Sequence, residues 1–224
     1  MESSRKSNAQ GVKSASTALW ILLAGHVFSG LFLRNLGTGL SQIDDPTASR
    51  IAGNLSAAFH LLVHYAPPAM IALVVILQIL IILKKPAQWG IDVIGGLLTL
   101  RCLIQFLILN LLLLSHLKAG GMLLMQLVLF IPVITLNFGW LYWRMDSAGR
   151  AKGRSEIRFS EEMGPLDPFD YFQVAARALM QFEPSGATAL TRTMKALFIL
   201  HGVMMMDLVA LTLSRAVSLA SGGG

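Results

Sequence analysis

Charge is what this chain has least of. Only 13% of its 224 residues are Asp, Glu, Lys or Arg, against 54% hydrophobic residues and a mean hydropathy of +0.64. A water-soluble domain carries about 25% charged residues on its surface. This chain lacks that surface and reads as a polytopic α-helical membrane protein. Cysteine is nearly absent. Cys102 stands alone in an apolar run, which excludes an intrachain disulfide framework and marks a small buried hydrophobe rather than a reactive thiol. There is no phosphate-cradling Gly-rich loop, no nucleophile elbow, no cysteine pair for zinc and no catalytic His/Asp or Ser cluster. Nothing therefore points to an enzyme or to a cofactor. The net charge of +6 and pI near 9.8 fit cytoplasmic loops of a membrane protein, and we read no nucleic-acid partner from them. The expected partner is the lipid bilayer.

What is there is a series of apolar segments. Residues 1–15 read as a disordered basic tail. Residues 16–143 form a four-span region. Ser16 to Leu33 is an uncleaved anchor, followed by a polar loop over 34–56. Ala69 to Leu83 falls short of the roughly 20 residues a crossing takes. It has to recruit residues before Pro67-Pro68 as a kinked or broken helix. Val93 to Leu117, carrying Arg101, Gln105 and Asn110, is the third span. Met122 to Trp143 is the fourth, closed by the aromatic belt of Trp140, Tyr142 and Trp143. Residues 144–166 are the longest hydrophilic loop, and 167–219 hold a semi-apolar segment, Phe169 to Phe182, and the last span, Met194 to Leu219. The fold class is all-α, a membrane bundle of about five spanning helices plus one short segment. A helix of about 14 residues rises about 21 Å, less than a hydrocarbon core of about 30 Å. That segment is either re-entrant or interfacial.

Lys and Arg counts set the orientation. With the N-terminus inside, the inner side holds Arg5, Lys6, Lys13, Lys84, Lys85, Arg144, Arg150, Lys152, Arg154 and Arg158, ten in all, against Arg34, Arg50 and Lys118 outside. The bias predicts a cytoplasmic N-terminus and a cytoplasmic 144–166 loop.

The order of short helix, Glu-Pro-Ser-Gly turn and basic start of a full span resembles the pore module of potassium-channel-like proteins. Asp167-Pro168-Phe169-Asp170-Tyr171-Phe172 looks like the opening of bacterial pore helices. The filter position is held by Gln181, Phe182, Glu183, Pro184, Ser185 and Gly186. A potassium filter needs glycines that let successive carbonyls line one axis, and Pro184 fixes φ where they belong. Glu183 reads as a surface-facing helix stop in preference to a new constriction. Across about residues 137 to 219, five short motifs resemble a family of uncharacterised bacterial integral membrane proteins. They are Tyr142, Trp143 and Asp146; Asp170, Tyr171 and Phe172; Phe182 to Gly186; Leu190, Thr191, Arg192, Lys195 and Leu197; and Ser214, Arg215, Ala216 and Val217. The chain departs from that pattern at Glu183 and Gly186, where the family has a small hydroxyl residue and an acid.

The resemblance implies a multi-pass protein of the bacterial inner membrane with a channel-like module that lacks a potassium filter. It leaves the permeant unknown, with a small ion as one option, and points to a homo-oligomer, since a pore module of two helices needs several copies. No activity is implied. Potassium channels place the linker before the pore helix outside, opposite to the charge count here, so either the module is inverted or an earlier segment does not span. The alternatives are a non-conducting structural or interaction protein and, more remotely, a haem- or metal-binding one.

Ionisable groups inside spans cost roughly 2.5–3.5 kcal/mol each on insertion scales, so Arg101, His201 and Asp207, with the polar Asn110, are candidates for function. An Asp207–Arg101 pair would be structural; alternatively, Asp207 belongs to an ion or proton pathway. His60 and His64, four apart and on one helical face, are weak metal or haem candidates. Met204, Met205 and Met206 read as soft packing.

Overall fold

The computed structural model describes residues 2–41, 46, 50, 66–83, 85, 87–114, 120–160, 166–181, 184 and 186–220. Six helices lie among them: α1 (Glu2–Ser41), α2 (Ala66–Ile82), α3 (Gln88–Leu114), α4 (Gly120–Arg150), α5 (Pro168–Gln181) and α6 (Arg192–Ala220). Two three-residue strands, β1 (Ile157–Phe159) and β2 (Ala187–Ala189), pair antiparallel with Ile157 opposite Ala189 and Phe159 opposite Ala187.

Four stretches are long and apolar enough to cross a membrane: Gly11–Thr38, Gln88–Asn110, Gly121–Arg150 and Arg192–Ser214. These correspond to four of the five expected spans. The fifth, α2, has 17 residues, or about 25 Å of rise against a core of about 30 Å. Its expected extension before Pro67-Pro68 falls on residues 51–65, outside the described residues. Both prolines sit in the first turn of α2, where a missing N–H leaves no helical bond unmade.

Three boundaries differ from the sequence reading. The first helix begins at Glu2, where a disordered tail is expected, and runs on to Ser41 through the start of the expected 34–56 loop. The fourth continues to Arg150, seven residues beyond the aromatic belt. Those last turns are not lipid-facing, because Asp146 and Gly149 are buried under the loop that follows.

Helix α4 is the hub. It packs against α1, α3, α5 and α6, while α2 packs on α1, and α3 and α6 share no substantial contact with each other. The outward faces are apolar. Leu97, Leu100, Ile104 and Leu107 of α3 and Ile199, Val203, Met206 and Leu213 of α6 are exposed. Such surfaces are costly in water and indifferent in hydrocarbon, so the arrangement is that of a multi-pass membrane bundle. Pro132 lies inside α4, a position tolerated in membrane helices because neighbouring groups re-satisfy the freed backbone. Nearby, the Thr135 hydroxyl donates to the Ile131 carbonyl at 2.9 Å.

The short helix α5 rests on α4 through a close backbone approach. A Cβ at Gly139 would lie 2.8 Å from the Phe172 Cα, and backbone cannot rotate aside as a flexible side chain can. Gly96, by contrast, faces open space. Gly139→Leu is expected to push α5 off α4 and cost about 1–3 kcal/mol, whereas Gly96→Leu should leave the melting temperature in detergent unchanged. Equal melting curves for the two variants would refute this seating of α5.

Candidate functional site

The last turns of α4 bind three other elements. Asp146 and Arg150 are one helical turn apart, on the face that looks toward the following loop. Asp146 has no exposed surface. One carboxylate oxygen accepts the backbone N–H groups of Glu156 at 2.6 Å and Ile157 at 2.9 Å and the Ser155 hydroxyl at 3.3 Å. The other accepts the Tyr171 hydroxyl and Arg150 Nε, each at 2.6 Å. Removing a carboxylate from water costs several kcal/mol unless its lone pairs are filled. Here five donors fill them.

The second carboxylate, Glu156, is 4% exposed. It accepts Arg154 Nε at 2.8 Å and the Thr191 hydroxyl. Thr191 in turn caps α6, its oxygen accepting the Met194 N–H at 3.3 Å, and the Leu190 N–H donates to the Glu156 carbonyl at 2.9 Å. Asp146 thereby holds the loop, and through Glu156 the loop holds the start of α6. The opening of α5 is a reciprocal cap. The Phe169 N–H donates to Asp167 at 3.1 Å, while Asp170 reaches back to the Asp167 N–H at 2.7 Å.

Tyr171 is 1% exposed and meets Phe159 edge-on, with ring centroids 5.2 Å apart. Burial and then the hydrogen bond to the Asp146 carboxylate raise its phenol above the ordinary value. It therefore stays protonated and keeps donating.

Two further contacts complete the hub. The Arg144 guanidinium grips Asp92 of α3 through both Nε and Nη2. The Tyr142 hydroxyl lies 2.9 Å from His201 Nδ1, and the His201 ring stacks on Phe138 with centroids 4.2 Å apart.

Of the residues singled out from sequence, Asp146 and Tyr171, members of two separate motifs, are brought into direct contact. At the turn, Gln181 ends α5 exposed, Pro184 is buried, and Gly186 adopts φ +80°, a left-handed conformation glycine takes without strain. Phe182, Glu183 and Ser185 lie outside the described residues, as do His60 and His64.

The expected Asp207–Arg101 pair is not formed. Arg101 Nη1 lies 3.4 Å from His26 Nδ1 of α1, and among the described residues its Nε and Nη2 have no partner and one Asp207 oxygen is also unpartnered. The reason is architectural, since α3 and α6 each pack on α4 rather than on each other. His201 is engaged by Tyr142, and Asn110 donates to the Phe106 carbonyl of its own helix at 3.1 Å. Among the described residues, no three of His, Cys, Asp and Glu gather into a metal-holding group.

Glu156, Thr191 and Asp92 escape the sequence reading as site residues. For Asp146 and Arg150 a local signal exists in their spacing of four. For the others there is none, because each partner lies on a different element.

The fold and this end cluster define the class, a multi-pass membrane helix bundle whose C-terminal half is tied together by buried carboxylates. The chain matches no family model, no curated protein and no solved structure.

Asp146→Ala leaves two buried amides and a phenol without an acceptor and should cost about 3–5 kcal/mol, against about 1.5–3 kcal/mol for Tyr171→Phe. Thermal unfolding in detergent reads both, and a reversed order would contradict the hub. Because the folded phenol is raised, the unfolded Tyr171 ionises first. Its contribution to stability is complete below the ordinary phenol value of 10.0 and is lost as pH rises beyond it. The drop in melting temperature from about pH 8 to about pH 10.5 should accordingly be smaller in Tyr171→Phe than in the parent.

Proposed function

We propose that this chain is a membrane helix-bundle protein of structural or interaction type. Its C-terminal module keeps the helix order of a channel pore while its turn serves as a tether and does not conduct. The observation that carries the reading is the pairing of β2 with β1. The Gly186 carbonyl accepts the Ser160 N–H at 3.0 Å, and the strand after it is held against the loop that precedes α5. A selectivity filter needs successive carbonyls free to face one shared axis. Carbonyls engaged in a ribbon with the chain's own loop are not free to do so. Pro184 brings no N–H to the turn, and Gly186 is the one glycine between Gln181 and Ala187.

The conducting reading, with a small ion as permeant and several copies around an axis, has one observation in its favour. Polar contacts run through the spans, with His26 against Arg101 and the Ser29 hydroxyl donating to Gln105 at 3.0 Å. Intramembrane ionisable groups mark ion pathways in many membrane proteins. Planar-bilayer recording of the purified full chain in Na⁺, K⁺ and Cl⁻ gradients decides between the two. The tethered module should give no unitary current above that of the empty bilayer. Unitary currents abolished by Asp207→Asn would overturn the proposal and establish the pathway.

A further inference from the structure

A groove of about 730 Å³ runs down the outer face of α6 beneath β2. Its walls include Pro184, Ala187, Phe198, Ile199, Val203 and Met206, and Lys195 stands at its upper end. Ile199, Val203 and Met206 are exposed, so the groove opens sideways toward whatever surrounds the bundle. Its length is informative. From Lys195 to Met206 the helix rises about 16 Å, close to half of a hydrocarbon core of about 30 Å. That is the reach of one acyl chain within one leaflet.

The mouth is basic. Arg192 begins α6 and Lys195 follows one turn later, both exposed. Arg177 of α5 packs against Gly186 at the same place, and exposed Arg158 stands opposite Thr188 of β2. The arginines of the neighbouring cluster are matched, Arg144 with Asp92, Arg150 with Asp146 and Arg154 with Glu156. Among the described residues Arg158, Arg177, Arg192 and Lys195 have no ion-pair partner. These four cations above an apolar channel one leaflet deep are complementary to a phosphate headgroup above an acyl chain.

We infer that this groove is a binding site for an anionic glycerophospholipid, with one acyl chain lying along Phe198, Val203 and Met206 and the phosphate held by Lys195 and Arg192. The site stands whether or not the module conducts. A second copy of the chain would also bury the apolar wall, but it would bring the same cations face to face.

Native mass spectrometry of the full chain in detergent, with dioleoyl phosphatidylglycerol and dioleoyl phosphatidylcholine supplied in equal amounts, tests the assignment. Each surface cation favours an anionic lipid by about fivefold. The parent chain should therefore retain phosphatidylglycerol preferentially, and Arg192→Gln with Lys195→Gln together should lower that preference by at least about tenfold. Val203→Trp fills the groove from its exposed side and should reduce retention of both lipids, with Ile199→Trp as a second variant of the same kind. Soluble glycerophosphoglycerol should not compete. An unchanged preference in the double variant, unchanged retention in both tryptophan variants, competition by the soluble headgroup, or a tryptophan-induced loss of dimer in place of lipid would each overturn it.

Discussion

Asp146 accepts five hydrogen bonds from its own helix, the following loop and α5, and shows no surface to solvent. An isolated carboxylate at that position would be so costly that the chain would rearrange to expose or protonate it. The donors solve this, and in doing so they fix the geometry of everything they come from. The amides of Glu156 and Ile157 set where β1 starts, and the phenol of Tyr171 sets where α5 lies. With β1 fixed, Glu156 reaches Thr191 and positions the first turn of α6. The order of dependence runs from α4 outward, which is why α4 continues past its aromatic belt. Without those extra turns, the loop and the two C-terminal helices would have no common anchor.

Along the spans the constraint is of another kind. Lipid is as apolar as leucine, so burying leucine between helices gains little, and close backbone approaches and interhelical hydrogen bonds decide which faces meet. Gly139 against Phe172 is such an approach. Ser29 with Gln105 and Thr99 with Asn137, the latter at 3.1 Å, join α1 to α3 and α3 to α4. Arg101 stands apart from this pattern. Among the described residues its guanidinium meets the His26 ring alone, with two nitrogens buried and unanswered, whereas the Asp146 carboxylate accepts donors on both oxygens.

Hydropathy alone makes four spans legible, because a bilayer crossing is a local property of about 20 consecutive residues. The shortness of α5 is legible for the same reason, and so is its cap, since Asp167 and Asp170 act within one turn. The helix runs through residues 2–15 and 34–41 because polar residues do not forbid a helix that an adjoining apolar run has already nucleated. The Asp207–Arg101 pairing fails because complementary charge says nothing about adjacency. Only the packing order around α4 decides it, and that order is not written in any one segment. Asp146 and Tyr171 appear in sequence as members of two separate short motifs, 25 residues apart. Their contact is a tertiary fact, and the two-stranded ribbon between three-residue strands is another, too short to leave a period-2 pattern.

The electrostatics of the turn agree with its backbone. A cation pore gathers carbonyl oxygens and acidic rings at its constriction and keeps basic groups away. Here Arg177 packs on Gly186, and Arg192 and Lys195 stand at the head of α6. The N-terminus of α6 adds its own positive end to the same side. Were the ribbon to open and free the Gly186 carbonyl, a cation approaching it would still meet the positive field of the Arg177 guanidinium. The same field draws phosphate toward the mouth of the α6 groove. A turn that has Pro184 in place of filter glycines and cations on both sides is, on our proposal, suited to holding an anionic lipid rather than to passing a cation.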